Sequence, residues 1–118
     1  MKESRFQSQI RAAMIRTGWK VFNVHGHQLQ EPGWPDLMGW HRARFIGLEL
    51  KVLEGRLRPS QINILNDLRV RGYVATCLRW YPDRLETDDG DILSWSGDSL
   101  QLHQWLISLE PRAESLRR

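Results

Sequence analysis

The stretch Phe45-Ile-Gly-Leu-Glu-Leu-Lys-Val52 decides the fold of this chain. Aliphatic residues at 46, 48, 50 and 52 alternate with other residue types, which is the period of a β-strand that packs one face against a core. Glu49 and Lys51 therefore project together from the opposite face. A carboxylate and an ammonium group beside an apolar layer are costly unless they are paired or bind a metal ion, so this strand predicts a functional site.

A second carboxylate, that of Asp36, precedes Glu49 by thirteen residues and ends the loop Gly33-Trp34-Pro35-Asp36. The apolar Leu37-Met38-Gly39-Trp40 predicts a short strand, and His41-Arg42-Ala43 predicts a tight connection into the next one. Such a hairpin places the start of its first strand beside the end of its second, which would bring Asp36 and Glu49 together. Two carboxylates at one point predict an oxygen-ligand site for a hard divalent cation, with magnesium the best match.

Four motifs resemble, in order, those of the VRR-NUC (virus-type replication-repair nuclease) family of the PD-(D/E)xK nuclease superfamily. They are Glu3 at the start of the first helix, Gly33-Trp34-Pro35-Asp36-Leu37 for Gly-x-Pro-Asp-Leu, Glu49-Leu50-Lys51 for Glu-x-Lys, and Gly55-Arg-Leu-Arg-Pro-Ser-Gln61 for Gly-x-Leu-Ser-Pro-x-Gln. Arg58 stands where the family has a serine that could cap the next helix. Each motif alone carries little weight, and the resemblance rests on their order over roughly residues 2–80. The alternative is a surface hairpin with a solvated aspartate and an ordinary Glu–Lys pair.

The resemblance implies a phosphodiesterase site that depends on a divalent metal ion. Asp36 and Glu49 would bind Mg²⁺, for which Mn²⁺ could substitute, and the backbone carbonyl of Leu50 would be a third ligand. Glu3 would bind the ion through water or help to hold a second ion. The implied reaction is hydrolysis of DNA phosphodiester bonds that leaves a 5′-phosphate.

Two further side chains complete the implied catalytic set. Lys51 would orient the attacking water and stabilise the charge that develops in the transition state. Gln61 would position water or Lys51 through a hydrogen bond, and helix capping is an open alternative for this residue.

The resemblance also implies an α/β fold. It would be a single-domain, restriction-endonuclease-like (PD-(D/E)xK) core of order αβββαβ, with a central mixed sheet flanked by helices and a C-terminal hairpin and helix extension. Hydrophobic periodicity predicts the following elements: a helix over Lys2–Thr17, strands over Lys20–His25, Leu37–Trp40 and Phe45–Val52, a helix from about Pro59 to Arg71, a strand over Tyr73–Trp80, a hairpin near Ile92-Leu93, and a last helix carrying Leu102, Trp105, Leu106 and Leu109. Glu3 falls at the head of the apolar stripe of the first helix and is expected to point toward the sheet edge.

Length and composition predict one domain over residues 1–118, with the core at about 2–80, an acidic extension at about 81–110 and a frayed tail at 111–118. No long apolar stretch predicts a membrane span or a signal peptide. The single cysteine, Cys77, cannot form an intramolecular disulfide and fits a reducing compartment. We therefore expect a cytoplasmic protein of a bacterial or phage-infected cell.

The net charge of +3 conceals an asymmetry between the two parts of the chain. Residues 1–80 carry a net charge of +7 and residues 81–118 carry −4, so the basic charge accompanies the predicted site. Fourteen of the seventeen basic residues are arginine, which suits bidentate phosphate recognition. This pattern predicts a nucleic-acid partner.

Several residues are candidates for DNA contact, each with a structural alternative. They are Trp34, Arg42, Arg44, Arg56, Arg58 and His25. Trp34 could stack on an unpaired base or pack in the core, and the arginines could contact the DNA backbone or form a solvated rim. A zinc site at His25-Gly-His27 is disfavoured because partner ligands at suitable spacing are missing.

Two functions follow as hypotheses. The first is a Mg²⁺-dependent DNA endonuclease that cuts branched DNA in phage replication or DNA repair, with a homodimeric Holliday-junction resolvase as one form and a helicase or replication protein as a further partner. The second is a catalytically idle domain that binds DNA or assembles complexes. The intact set Glu3, Asp36, Glu49 and Lys51 favours the first, since an idle domain has no need of a repulsive acidic cluster. Trp95 and Trp105 would anchor a dimer interface in the acidic C-terminal part, or alternatively close the core.

Overall fold

The computed structural model describes residues 1–23, 32–95 and 100–110. Within these residues three helices flank a six-stranded mixed sheet. The elements are α1 (Glu3–Arg16), β1 (Lys20–Asn23), β2 (Leu37–His41), β3 (Arg44–Val52), α2 (Pro59–Val70), β4 (Val74–Tyr81), β5 (Arg84–Thr87), β6 (Ile92–Ser94) and α3 (Leu100–Ser108). The order of the first six is the order that the sequence predicts. The predicted continuation of β1 to His25 and the predicted frayed tail lie outside the described residues. None of the described helices is long and apolar enough to cross a membrane.

The strands follow one another across the sheet in chain order. All neighbouring pairs are antiparallel except β3 and β4, which are parallel and are connected through α2. A parallel pair needs a crossover, and the helical pattern between the two strands supplies it. The crossover places α2 on the face of the sheet that carries Glu49 and Lys51.

The C-terminal hairpin continues the main sheet and is not a separate extension. Strand β5 pairs with β4, and β6 pairs with β5. The sequence pattern predicts a hairpin around Ile92-Leu93 but does not predict Arg84–Thr87 as a strand. This segment has only four residues and two of them are charged, so its alternation of apolar and polar residues is too short to predict a strand. Hydrogen bonds to β4 stabilise the strand in place of a strong intrinsic preference.

One face of the sheet packs against α1 and α3. Its β3 residues are Ile46, Leu48 and Leu50, all fully buried. The apolar stripe of α1 covers them, and its buried members are Phe6, Ile10, Ala13 and Met14, as the helical spacing predicts.

The two tryptophans proposed as dimer anchors both contact this core: Trp105 is buried in it, and Trp95 is partly buried against it. Trp105 is 8% exposed and its Nε1 donates a hydrogen bond to Asp91 Oδ2 at 3.1 Å. Trp95 packs edge-on against Phe6, with ring centroids 6.0 Å apart. The structure therefore supports the core-closing alternative for Trp105, while Trp95 keeps part of its ring exposed.

The opposite face, which we call the site face, packs against α2. Its apolar cluster consists of Ile62, Leu65, Leu68 and Ala75, with Trp34 and Phe45 packed against it. Glu49 and Lys51 lie on this face at the end of β3 that leads into α2.

Two glycines let the Gly33–Asp36 loop sit tightly between the sheet and α2. A methyl group at Gly47 would lie 3.0 Å from Cγ of Pro35. A methyl group at Gly33 would lie 2.3 Å from the backbone oxygen of Ser60, and Gly33 also has a left-handed φ of 97°. The glycine of the Gly-x-Pro-Asp motif thus allows the start of α2 to approach the chain that carries Asp36.

We expect Gly33→Ala to destabilise the fold more than a matched glycine substitution does. Gly90 has a similar φ of 103° but open space around it, so Gly90→Ala should cost only the left-handed backbone penalty of about 1–2 kcal/mol. Gly33→Ala should cost a further ~1–3 kcal/mol because the methyl group forces α2 outward. Urea unfolding of the two variants measures the difference, and equal losses would contradict the close contact.

Candidate active site

The register of β2 and β3 brings two carboxylates together. Leu37 pairs with Leu48, so Asp36 comes to lie beside Glu49. Asp36 is 7% exposed and Glu49 is 1% exposed. Asp36 Oδ2 accepts a hydrogen bond from the backbone N–H of Leu50 at 2.8 Å, and the two carboxyl groups are within hydrogen-bonding range of each other. We call Asp36 and Glu49 the carboxylate pair.

The environment of the carboxylate pair holds a proton on Glu49. The pKa of Glu49 is raised from its ordinary 4.5 to about 9. Burial is the largest cause, and the hydrogen bond with Asp36 and the charge of Asp36 raise the pKa further, while the charge of Lys51 lowers it. Glu49 Oε2 is buried, and within residues 1–23, 32–95 and 100–110 it has no hydrogen-bond partner. A buried carboxylate oxygen without a hydrogen-bond partner is costly, so Oε2 of Glu49 suits a cation as its partner.

Lys51 lies next to the carboxylate pair. It is half-buried, shares the site face with Glu49, and its charge lowers the pKa of Glu49, which places the ammonium group within electrostatic range. Leu50 lies between the two, beyond the last residue of β3 that pairs with β2. Because the N–H and carbonyl of one strand residue point toward the same neighbour, the carbonyl of Leu50 faces the side on which Asp36 lies.

Gln61 is buried in the first turn of α2. Its Oε1 accepts a hydrogen bond from the backbone N–H of Arg58 at 2.7 Å, and the side chain is 4% exposed. This is the capping alternative named for Gln61, and it explains how α2 begins after Arg58 without a serine at that position.

Glu3 is the first residue of α1 and its side chain is exposed. The buried stripe of α1 begins at Phe6, so Glu3 lies outside it. Glu3 is near enough for its charge to raise the pKa of Glu49. Among the residues that the structure describes, no three His, Cys, Asp or Glu side chains lie close enough together to hold a metal ion.

The arginine candidates separate into two pairs. Arg56 and Arg58 are exposed in the loop of residues 53–58 that follows Lys51. Arg42 lies at the other end of the hairpin, six residues or about 20 Å along the strand from Asp36. Arg44 lies there too, and its Nη1 donates to the carbonyls of Ile107 and Leu109 at 2.9 and 3.3 Å. Arg42 and Arg44 therefore lie away from the carboxylate pair, because the hairpin turn is at the opposite end of the two strands, and DNA contact by the four arginines stays a prediction.

The two remaining candidates for DNA contact differ in what the structure shows. Trp34 is half-buried and packs against the cluster under α2, which supports the packing alternative. His25, together with the disfavoured zinc site at His25 and His27, lies outside the described residues.

Sequence reasoning missed two neighbours contributed by β4. The parallel register pairs Glu49 with Cys77 and Lys51 with Arg79. Alternation in the predicted strand places Cys77 and Arg79 on one face, but no local signal gives the register of two strands separated by a helix.

No protein-family model matches this chain, and no curated protein matches it. The fold is similar to that of Hjc, a Holliday junction resolvase from the archaeal hyperthermophile Archaeoglobus fulgidus. The likeness has a TM-score of 0.55 and covers 72% of this chain and 71% of that chain at 18% sequence identity. At this identity the comparison shows a shared mixed α/β fold.

The raised pKa of Glu49 predicts a pH-dependent stability of the metal-free protein. Folded protein keeps a proton on Glu49 that unfolded protein loses above pH 4.5, so the free energy of unfolding should fall as pH rises from about 5 toward 9. The contribution of this one group is at most about 1.4 kcal/mol per pH unit. Urea unfolding in EDTA at several pH values measures it, with Glu49→Gln as the control that lacks the proton. Parallel pH profiles for the two proteins would contradict the shift.

Proposed function

We propose that this protein is a metal-dependent DNA endonuclease that hydrolyses phosphodiester bonds in branched DNA. The observation that carries the proposal is the buried carboxylate pair with Lys51 beside it, at the end of β3 in a sheet whose fold is similar to that of a Holliday junction resolvase. The ordered motifs support the finer assignment to the VRR-NUC family. A bacterial or phage setting remains a prediction from the sequence.

The residues present fit a hard divalent cation. The donors are carboxylate oxygens, which Mg²⁺ and Mn²⁺ prefer, and Glu49 Oε2 is a buried oxygen in need of a partner. Asp36 and Glu49 would hold the ion, with the carbonyl of Leu50 on the same side. A bound Mg²⁺ would polarise the scissile phosphate and lower the pKa of a water molecule.

The remaining residues would act on water and phosphate. Lys51 would orient the attacking water and stabilise negative charge in the transition state, since its ammonium group stands beside Glu49. Glu3 would bind the metal ion through a water molecule. Its carboxylate is exposed and acts on Glu49 through its charge, without a hydrogen bond to it. Gln61 would keep the start of α2 in place through its hydrogen bond with the backbone N–H of Arg58.

DNA would approach the end of the sheet that carries the 53–58 loop. Arg56 and Arg58 are exposed there, and residues 1–80 carry a net charge of +7. Branched DNA is proposed as the substrate because the structural neighbour is a Holliday junction resolvase. The alternative, a catalytically idle DNA-binding domain, makes the opposite prediction in the cleavage assay below.

We expect Asp36→Asn and Glu49→Gln to abolish metal-dependent nicking while DNA binding stays the same or becomes tighter. Each variant removes a ligand, and Asp36→Asn also removes a charge that repels phosphate. Glu49 already carries a proton in the metal-free protein, so Glu49→Gln should leave DNA binding in EDTA unchanged. Loss of a residue that merely supports a ligand costs about 10–100-fold, so loss of the ligand should cost more than about 100-fold. Nicking of flap, splayed and four-way DNA with Mg²⁺ or Mn²⁺ measures the rate, and gel shifts in EDTA measure binding. Near-normal rates in both variants would remove the metal-site assignment.

Lys51→Ala should separate catalysis from metal binding. The ammonium group is not a ligand, so calorimetric titration should give a metal affinity close to that of the unaltered protein while the nicking rate falls. A loss of metal affinity as large as that of Asp36→Asn would contradict the assigned role.

A homodimer would supply the two symmetric cuts that resolution of a four-way junction needs. Of the two tryptophans proposed as its anchors, Trp105 is buried in the core and Trp95 is only partly buried. Light scattering at micromolar concentration should give twice the chain mass of 13.9 kDa. A monomer that still nicks branched DNA would rule out the paired-cut resolvase and leave a single-strand nuclease.

A further inference from the structure

The loop of residues 53–58 is held in a conformation that needs support. Leu53, its first residue, has a left-handed φ of 51°, which costs a residue other than glycine about 1–2 kcal/mol. Two backbone hydrogen bonds hold its start: Leu53 N–H donates to the Trp80 carbonyl at 2.8 Å, and Gly55 N–H donates to the Val52 carbonyl at 3.1 Å. Neither bond uses the carbonyls of Leu53 and Gly55 themselves.

Arg79 binds those two carbonyls. Its Nη1 donates to the carbonyl of Leu53 at 2.9 Å and to the carbonyl of Gly55. A guanidinium group suits this position because its fixed planar donors can serve two acceptors at once, which an ammonium group on a flexible stem does less well. The side chain of Arg79 therefore ties the loop to β4.

The loop in turn lies beside Lys51. A methyl group added at Gly55 would lie 3.5 Å from Cδ and 3.9 Å from Cβ of Lys51, so the loop passes within about the width of a methyl group of the aliphatic stem of Lys51. The register of β3 and β4 pairs Lys51 with Arg79 directly, and both side chains leave the same face of the sheet. Arg79 thus holds the loop that borders the stem of Lys51, next to Glu49.

We infer that Arg79 is a positioning residue: by holding the carbonyls of Leu53 and Gly55 it keeps the loop against the stem of Lys51 and fixes the direction of the ammonium group. Its significance for cleavage rests on the proposed function, but the positioning itself does not. Two neighbouring cations would otherwise repel each other, and the two carbonyls together with the nearby carboxylate of Asp88 offset the charge of Arg79.

A competing role for Arg79 is direct contact with DNA. The side chain lines an open cleft of about 660 Å³ together with Arg56, Leu57 and Asp88, and a phosphate group could enter it. Direct contact with DNA and positioning of Lys51 can be distinguished by what changes when Arg79 is replaced. Direct contact changes the affinity for DNA, whereas positioning changes the order of Lys51 even in protein without DNA.

The first test reads the order of Lys51 without any cleavage assay. The chain contains three lysines, Lys2, Lys20 and Lys51, so isotope-labelled lysine gives three side-chain signals, assigned with Lys51→Gln. In the unaltered protein the Cε signal of Lys51 should relax as a more ordered group than that of exposed Lys2. In Arg79→Met the side chain of Lys51 should become as mobile as that of Lys2. In Arg79→Lys, which keeps the charge, the mobility of the Lys51 side chain should lie between that in the unaltered protein and that of Lys2.

The matched control is Arg71→Met, which removes one positive charge at the far end of α2, where Arg71 pairs with Asp67. It should leave the Lys51 signal unchanged. Urea unfolding establishes that each variant is folded, and Arg79→Lys carries the test if Arg79→Met does not fold. If the relaxation of the Lys51 Cε signal is the same in the folded Arg79 variants as in the unaltered protein, the inference is overturned.

The second test uses DNA cleavage. Arg79→Met should lower kcat by about 10–100-fold, the range found for residues that orient catalytic groups. KM for DNA and metal affinity should stay within about two-fold, since the lost interaction acts only in the transition state. A raised KM with unchanged kcat would assign Arg79 to phosphate contact instead. If the unaltered protein does not cut DNA, the proposed function fails, and the lysine signals still decide the positioning role.

Discussion

The hydrogen bond from the backbone N–H of Leu50 to Asp36 holds the two halves of the site together. It joins the residue before β2 to the end of β3, beyond the point where the two strands pair. The other contacts of the Gly33–Asp36 loop, with α2 and with Gly47 of β3, do not orient the carboxylate. With this hydrogen bond, the carboxylate of Asp36 is oriented against Glu49, and the position of the loop, the hairpin and the start of α2 depend on one another.

Two carboxylates in contact inside a folded chain oppose folding. Each loses hydration, and their charges repel, so the protein responds by keeping a proton on Glu49. Large apolar layers on both faces of the sheet offset this cost. The carboxylate pair therefore lowers the stability of the fold, and a chain without it would have a larger free energy of unfolding.

The sequence predicts those parts of the molecule that local patterns determine. Alternation along β3 and helical spacing along α1 identify both elements, and the short connection between β2 and β3 brings Asp36 to Glu49. Pairing between distant strands has no local pattern, so Arg79 beside Lys51 could not be found. The roles of individual arginines also cannot be predicted from the sequence. Arg44 binds carbonyls at the end of α3, whereas Arg56 and Arg58 border the site, and only the contacts in the structure distinguish these roles.

The sheet contains a natural reporter of its own opening. Cys77 is the single cysteine, is fully buried, and pairs with Glu49 at the centre of the sheet. Burial raises the pKa of its thiol, so the reactive thiolate forms only when the structure around it opens. The rate at which an alkylating reagent modifies this one sulfur atom therefore measures how often this buried part of the protein opens under native conditions.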